Sequence, residues 1–149
     1  MGDLKLGLAQ GYWGAAPNPN FVEMAQEAER LGFDSVWSAE AWGNDAFTPL
    51  CWIGAQTEKI KLGTAVVQLS GRTPTSCAMH ALSLDYLSNG RFQLGLGVSG
   101  PQVVEGWYGR PFPKPLARTR EYIDIIRQVF KREGPVTNDG PHYPLPYPG

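Results

Sequence analysis

Cysteine and histidine are scarce in this sequence of 149 residues, with two of each, and neither charge sign prevails: 13 Lys plus Arg stand against 14 Asp plus Glu, a formal net charge of -1. Cys51 and Cys77 fall in separate helical patterns with no second Cys or His at ligand spacing, so both read as reduced core thiols. The even charge balance leaves no global field to gather a polyanion, which sets aside nucleic acid and acidic membrane surfaces and favours a small neutral or anionic ligand held in a pocket. Apolar runs such as Ala65-Val66-Val67 are far shorter than the ~20 residues of a membrane helix. The start, Met1-Gly2-Asp3-Leu4-Lys5, lacks the basic flank and apolar core of a signal peptide, so a cytoplasmic protein is expected. No P-loop, zinc spacing or nucleophile elbow occurs.

Glycine (18) and proline (13) are plentiful, and they punctuate a repeating pattern. Leu4 to Gln10 reads as a strand; Asn18-Pro19 then opens a helix whose Phe21, Met24, Ala25, Ala28 and Leu31 share one face, with Gly32 as the stop. Asp34 to Glu40 reads as a second strand, followed by a short helix capped at Thr48-Pro49. Ile60 to Gln68 is the third strand, and Thr73-Pro74 opens a helix that ends near Asn89-Gly90. Phe92 to Val98 is the fourth strand. After an irregular stretch from Gly100 to Lys114, a helix from Pro115 to Lys131 is expected to bury Tyr122, Ile123, Ile126, Val129 and Phe130. Residues 105 to 133 carry seven basic groups against four acidic ones, read as a solvated helix face with pairs such as Arg118 with Glu121 and Arg120 with Asp124.

Strand starts recurring at about thirty residues match one strand plus its crossover helix, the unit of a parallel sheet. The fold class is therefore α/β, as an open doubly wound sheet or a barrel of eight such units, of which four make half. Residues 1–149 read as a single domain. From Gly134 onward five prolines and the Asn138-Asp139-Gly140 turn form a hairpin excursion. Four parallel strands alone leave unpaired edges, so an isolated half is expected to pair with a complementary half-barrel or to self-associate.

Gly95-Leu96-Gly97-Val98-Ser99-Gly100 fits the spacing of a dinucleotide-binding loop, but Pro101 and a run without helical pattern follow where that loop needs a helix at once. Gly95 and Gly97 fit better as places where a flat ligand or another backbone comes close. Glu40 ends the second strand, where barrel enzymes put working groups; it is a ligand contact or proton-transfer group, or else it caps the following loop. Trp13, Trp37, Trp42 and Trp107 lie near strand ends and could wall a planar cofactor. His80 sits mid-helix as a packed or outward residue, and His142 reads as a surface residue.

Leu62-Gly63-Thr64-Ala65-Val66, Asn89-Gly90-Arg91-Phe92 running into Gly95 to Gly100, Arg118-Thr119-Arg120-Glu121-Tyr122, and Asp139-Gly140-Pro141-His142-Tyr143 recur in an order that resembles the bacterial luciferase-like superfamily, and within it the coenzyme F-420-dependent oxidoreductases of actinobacteria. The resemblance implies the first four units of a (β/α)8 TIM barrel, with a deazaflavin at its mouth that exchanges hydride with an organic substrate. It implies an acidic residue near the ring, matched by Glu40 with Trp42 beside it as catalytic candidates, although Ala41 stands where the family often has His. It further implies cofactor contacts at Glu40, at a strand-three bulge of Ala65 and Val66 with Gln68 beyond, and at Gly97, Val98, Ser99 and Gly100. That bulge frequently contains a non-prolyl cis peptide, and Pro101 stands where some members place Glu. An FMN-dependent monooxygenase of the same superfamily, and an inactive half-barrel serving as an assembly module, are the alternatives.

Overall fold

The computed structural model describes residues 4–147. In chain order the elements are β1 (Gly7–Gly11), α1 (Phe21–Arg30), β2 (Ser35–Ser38), α2 (Phe47–Gly54), β3 (Lys61–Thr64), β4 (Val67–Gln68), a single 3-10 turn (Leu69–Gly71), α3 (Pro74–Leu87), β5 (Phe92–Gln93), β6 (Leu96–Gly97), α4 (Pro101–Val104) and α5 (Pro115–Lys131). They divide between two compact units, residues 4–67 with 83–97 and residues 68–82 with 98–147.

The first unit carries a parallel sheet in the order β1, β2, β3, β5. Parallel neighbours need crossover helices, and α1 and α2 supply them between the first three strands. Val36 and Leu62 on the central strands are fully buried, and Val22, Ala25, Ala28, Leu50 and Ile53 bury the inner faces of the helices. Gly32, at φ +82°, ends α1 in the left-handed region that an L side chain resists, as the sequence pattern requires. At the amino-terminal side of the sheet Glu29 accepts backbone N–H bonds from Glu58, Lys59 and Ile60, the last at 2.7 Å. Arg91 donates to the carbonyls of Gly54, Thr57, Ile60 and Ser88, tying α2 and the end of α3 to the sheet.

Several expectations are corrected. The fourth strand is split into β5 and β6, because Gly95 N donates to the Thr64 hydroxyl at 2.8 Å while that hydroxyl donates back to the Gly95 carbonyl at 2.9 Å. A side chain has taken the place of the ladder partner there. Helix α2 begins one residue before Thr48, and Asp45 Oδ1, not Thr48, accepts the first amides, Phe47 N and Thr48 N, each at 2.8 Å. Cys51 is exposed on α2, whereas Cys77 is buried.

In the second unit, α4 forms one helical turn inside the stretch expected to be irregular, since Pro101 supplies a preset φ at its first position. Helix α5 keeps the expected bounds, Pro115–Lys131, but buries Tyr122, Ile125 and Ile126; Ile123 and Val129 are half-buried and Phe130 is 42% exposed. Asp124 pairs with Arg127 at 3.6 Å instead of with Arg120. The tail closes as an antiparallel bridge between Asn138 and Leu145. Its anchor is Glu121, whose Oε2 accepts N–H bonds from His142 at 3.0 Å and Tyr143 at 3.2 Å and from the Asn138 amide at 3.2 Å. Glu121 is thereby diverted from the expected pair with Arg118, and His142 is drawn in until its side chain is only 13% exposed, which corrects its reading as a surface residue.

Candidate functional site

Within the first unit the candidate residues gather at the carboxyl ends of β2 and β3. Ser38 and Thr64 are register partners, so Glu40 and Val66 each lie two residues beyond a matched pair on neighbouring strands. The two strand ends stay in contact, since Ala65 N donates to the Ser38 carbonyl at 2.8 Å. Glu40 is 8% exposed and its Oε2 accepts the Ala46 N–H at 3.1 Å. A buried carboxylate is tolerated only with such bonds, and this one fixes the loop that leads into α2. Of the two readings of Glu40, this bond is the loop-capping one.

The Ala65-Val66 peptide is cis, at the strand-three bulge where the family resemblance implies one. Ala65 and Val66 are exposed, Val66 by 37%, in a stretch whose other residues from Leu62 to Leu69 are buried. Gly97 gives Val66 its place: a Cβ there would stand 2.4 Å from Val66 Cγ2. Gly95 does the same for backbone, since its Cβ would meet the Thr64 carbonyl oxygen at 2.1 Å. Both glycines therefore admit a neighbouring strand of the chain itself, one of the two close approaches their position suggested.

The tryptophans separate. Trp37 lies across the sheet over Gly63, whose Cβ would be 2.2 Å from its ring, and its indole N–H donates to Ser35 Oγ at 2.9 Å. Trp13 packs edge-on against Phe21 at 5.3 Å. Trp42 is 53% exposed just past β2. A wall of four tryptophans is therefore not what the first unit builds; of Trp13, Trp37 and Trp42, Trp42 alone is open to solvent. Two residues escaped the sequence reading. Asn44 accepts the Trp13 N–H on Oδ1 and donates to the Ala39 and Asp45 carbonyls, stitching the loops after β1 and β2 together. Thr64 makes the reciprocal bonds to Gly95 described above, and its position one residue before the bulge was the available signal.

The second unit holds Gln68, Val98, Ser99 and Gly100. Gln68 is buried at the end of β4, and Ser99, at φ +60°, turns the chain from Val98 into Gly100 ahead of α4. His80 has its Nδ1 2.7 Å from the Ser76 carbonyl oxygen on its own exposed helix face. Among the described residues no cluster of His, Cys, Asp and Glu is arranged to hold a metal ion, and no helix is long and apolar enough to cross a membrane.

The family model described as luciferase-like monooxygenase matches residues 7–149. A Mycobacterium tuberculosis protein whose own name provisionally makes it a coenzyme F-420-dependent oxidoreductase is 67% identical over 146 residues, covering 98% of this chain and 42% of the relative. Among solved structures, an F-420-dependent secondary alcohol dehydrogenase in complex with an F-420-acetone adduct superposes with a TM-score of 0.82 at 20% identity, covering 95% of this chain and 46% of that one. The oxygenating constituent of 3,6-diketocamphane monooxygenase from Pseudomonas putida, in complex with FMN, superposes at 0.81 with 22% identity, covering 97% and 44%. The chain thus spans less than half the length of each of these proteins. Motifs, parallel strand units and the family match converge, and the chain belongs to the luciferase-like monooxygenase family.

Proposed function

We propose that residues 1–149 form the amino-terminal half of a (β/α)8 barrel, one domain of a cytoplasmic, coenzyme F-420-dependent oxidoreductase. The observation that carries this is the pairing of Glu40 and Val66 at equivalent positions past β2 and β3, in a chain 67% identical to a relative named for that cofactor. An exposed apolar side chain beside a buried, hydrogen-bonded carboxylate suits a flat ring with a polar edge, so the residues present fit a deazaflavin. Val66 would back the ring, with Ala65 behind it and Gly97 leaving Val66 its room. Glu40, held by the Ala46 amide, would keep a carboxylate at a fixed place near the ring, and exposed Trp42 would cover the substrate side and shed water. Gln68, Val98, Ser99 and Gly100 would supply further contacts. When bound, the deazaflavin provides hydride transfer; the chain provides placement and dryness.

An FMN-dependent monooxygenase is the second reading, supported by the FMN-bound neighbour of the same fold, and an inactive assembly module is the third. The three separate on one experiment: the chain completed with a carboxyl-terminal half from a full-length relative is purified and its absorbance recorded with each cofactor. Retention of F-420 with bleaching as a substrate is oxidised, or return of its colour from the reduced cofactor as a substrate is reduced, supports the proposal, retention of FMN in its place supports the monooxygenase, and retention of neither leaves the assembly module. The partner proposed for the chain on its own is that complementary half, or a second copy.

A further inference from the structure

Helix α5 places Arg118, Glu121 and Tyr122 at i, i+3 and i+4, on one face. Two of the three are committed to backbone. Glu121 holds the His142-Tyr143 segment through their amides. The Tyr122 hydroxyl, kept protonated because burial pushes its pKa far up, donates to the Arg72 carbonyl at 3.1 Å. Between the segments so fixed opens a cleft of about 670 Å³, whose lining includes Arg72, Arg110, Arg118, His142, Tyr143 and Tyr147 and, among the described residues, no Asp or Glu. With Glu121 diverted, no carboxylate of the described residues lies within 4.0 Å of Arg110 or Arg118. Arg118 Nε is buried with no acceptor, while the guanidinium hydrogen-bonds the Tyr143 side chain and stands 6.0 Å from its ring centroid. An arginine in that state has no charged partner, and its terminal nitrogens are the groups that an oxyanion in the cleft would meet.

We propose that this cleft is a binding site for a small, multiply charged oxyanion, a phosphate or a carboxylate, gripped by Arg118 and Arg110 with Arg72 and His142 on its wall. Glu121 and Tyr122 act as positioning residues, since each fixes a wall segment without facing the ligand as a donor. The two possible sources of the anion share this chemistry and differ in shape, tetrahedral against planar. The test titrates the cofactor-free 149-residue chain, by calorimetry at low salt, with inorganic pyrophosphate and separately with tricarballylate. Saturable one-to-one binding of either, weakened by added salt, is expected; the better binder names the source. Arg118→Lys and Arg110→Gln should each loosen it by about 10-fold or more, the worth of a charge-assisted bond, while Arg120→Gln on the same helix should change nothing. Arg110 is exposed, so its variant reports even if Arg118→Lys impairs folding. Failure of both anions to bind saturably, or an affinity that neither cleft variant moves, overturns the site. Because heat is read without cofactor or turnover, that failure leaves the deazaflavin reading standing.

Discussion

At the scale of single residues, Glu40 and Gly97 do different work within one strand-end cluster. Glu40→Gln keeps an oxygen for the Ala46 amide but removes the charge, whereas Glu40→Ala leaves that buried amide without its acceptor. The Gln variant is therefore expected to hold the wild-type melting temperature while turnover falls steeply in the completed barrel, and the Ala variant to lose about 1 to 3 kcal/mol as well. Wild-type turnover in Glu40→Gln at unchanged cofactor affinity would leave Glu40 as a loop cap alone. Gly97→Ala must push Val66 aside, because the new methyl would stand 2.4 Å from Cγ2. Overpacking of this kind costs about 1 to 3 kcal/mol. Denaturant unfolding of the variant should show that loss, and pairing it with Val66→Ala, which vacates the space, should recover part of it.

The elements are held at their ends more than by their propensities. Asp45 gathers the first amides of α2, so Asp45→Ala is expected to cost about 1 kcal/mol, the usual worth of a helix cap, read as a lower denaturation midpoint at unchanged slope. Glu29 performs the matching task between α1 and β3. Burial alone would raise its pKa, but the amides of Ile60, Lys59 and Glu58 outweigh that and hold the carboxyl below its ordinary value of 4.5. A carboxylate depressed in the folded state lends stability that is complete above the unfolded value and lost as pH falls through the folded one. Wild type should thus exceed Glu29→Gln by about 1 kcal/mol at neutral pH. The gap should close as the pH falls below about 4.5, and a gap that persists unchanged at pH 3 would show that shape, not charge, matters there.

For the molecule as a whole, the open edge of β1 has the widest consequence. β1 pairs on one side only, with β2, and its residues alternate between exposed and half-buried where those of β2 are mostly buried. Leu4 at 85% exposure, Leu6 at 48% and Leu31 at 59% lie in the same unit. Unpaired parallel strands with apolar surroundings recruit a partner. The chain alone should run larger than 16.3 kDa in size-exclusion chromatography with light scattering, or form a defined complex when a complementary half is supplied. A well-folded monomer at high concentration would contradict this. What the sequence by itself determined is whatever depends on neighbours a few residues apart: the strand-helix rhythm, the Gly32 stop, the bounds of α5 and the family motifs follow from periodicity and caps that a linear pattern records. Only the tertiary structure decided which partner a polar group takes. Glu121, three residues from Arg118 on α5, binds the tail across about twenty residues of chain instead of pairing along its helix, and Thr64 binds Gly95 across 31. A carboxylate or hydroxyl has several acceptable donors nearby, and the choice among them falls to whichever backbone amide would otherwise be buried unpaired, a condition set only once distant segments have met.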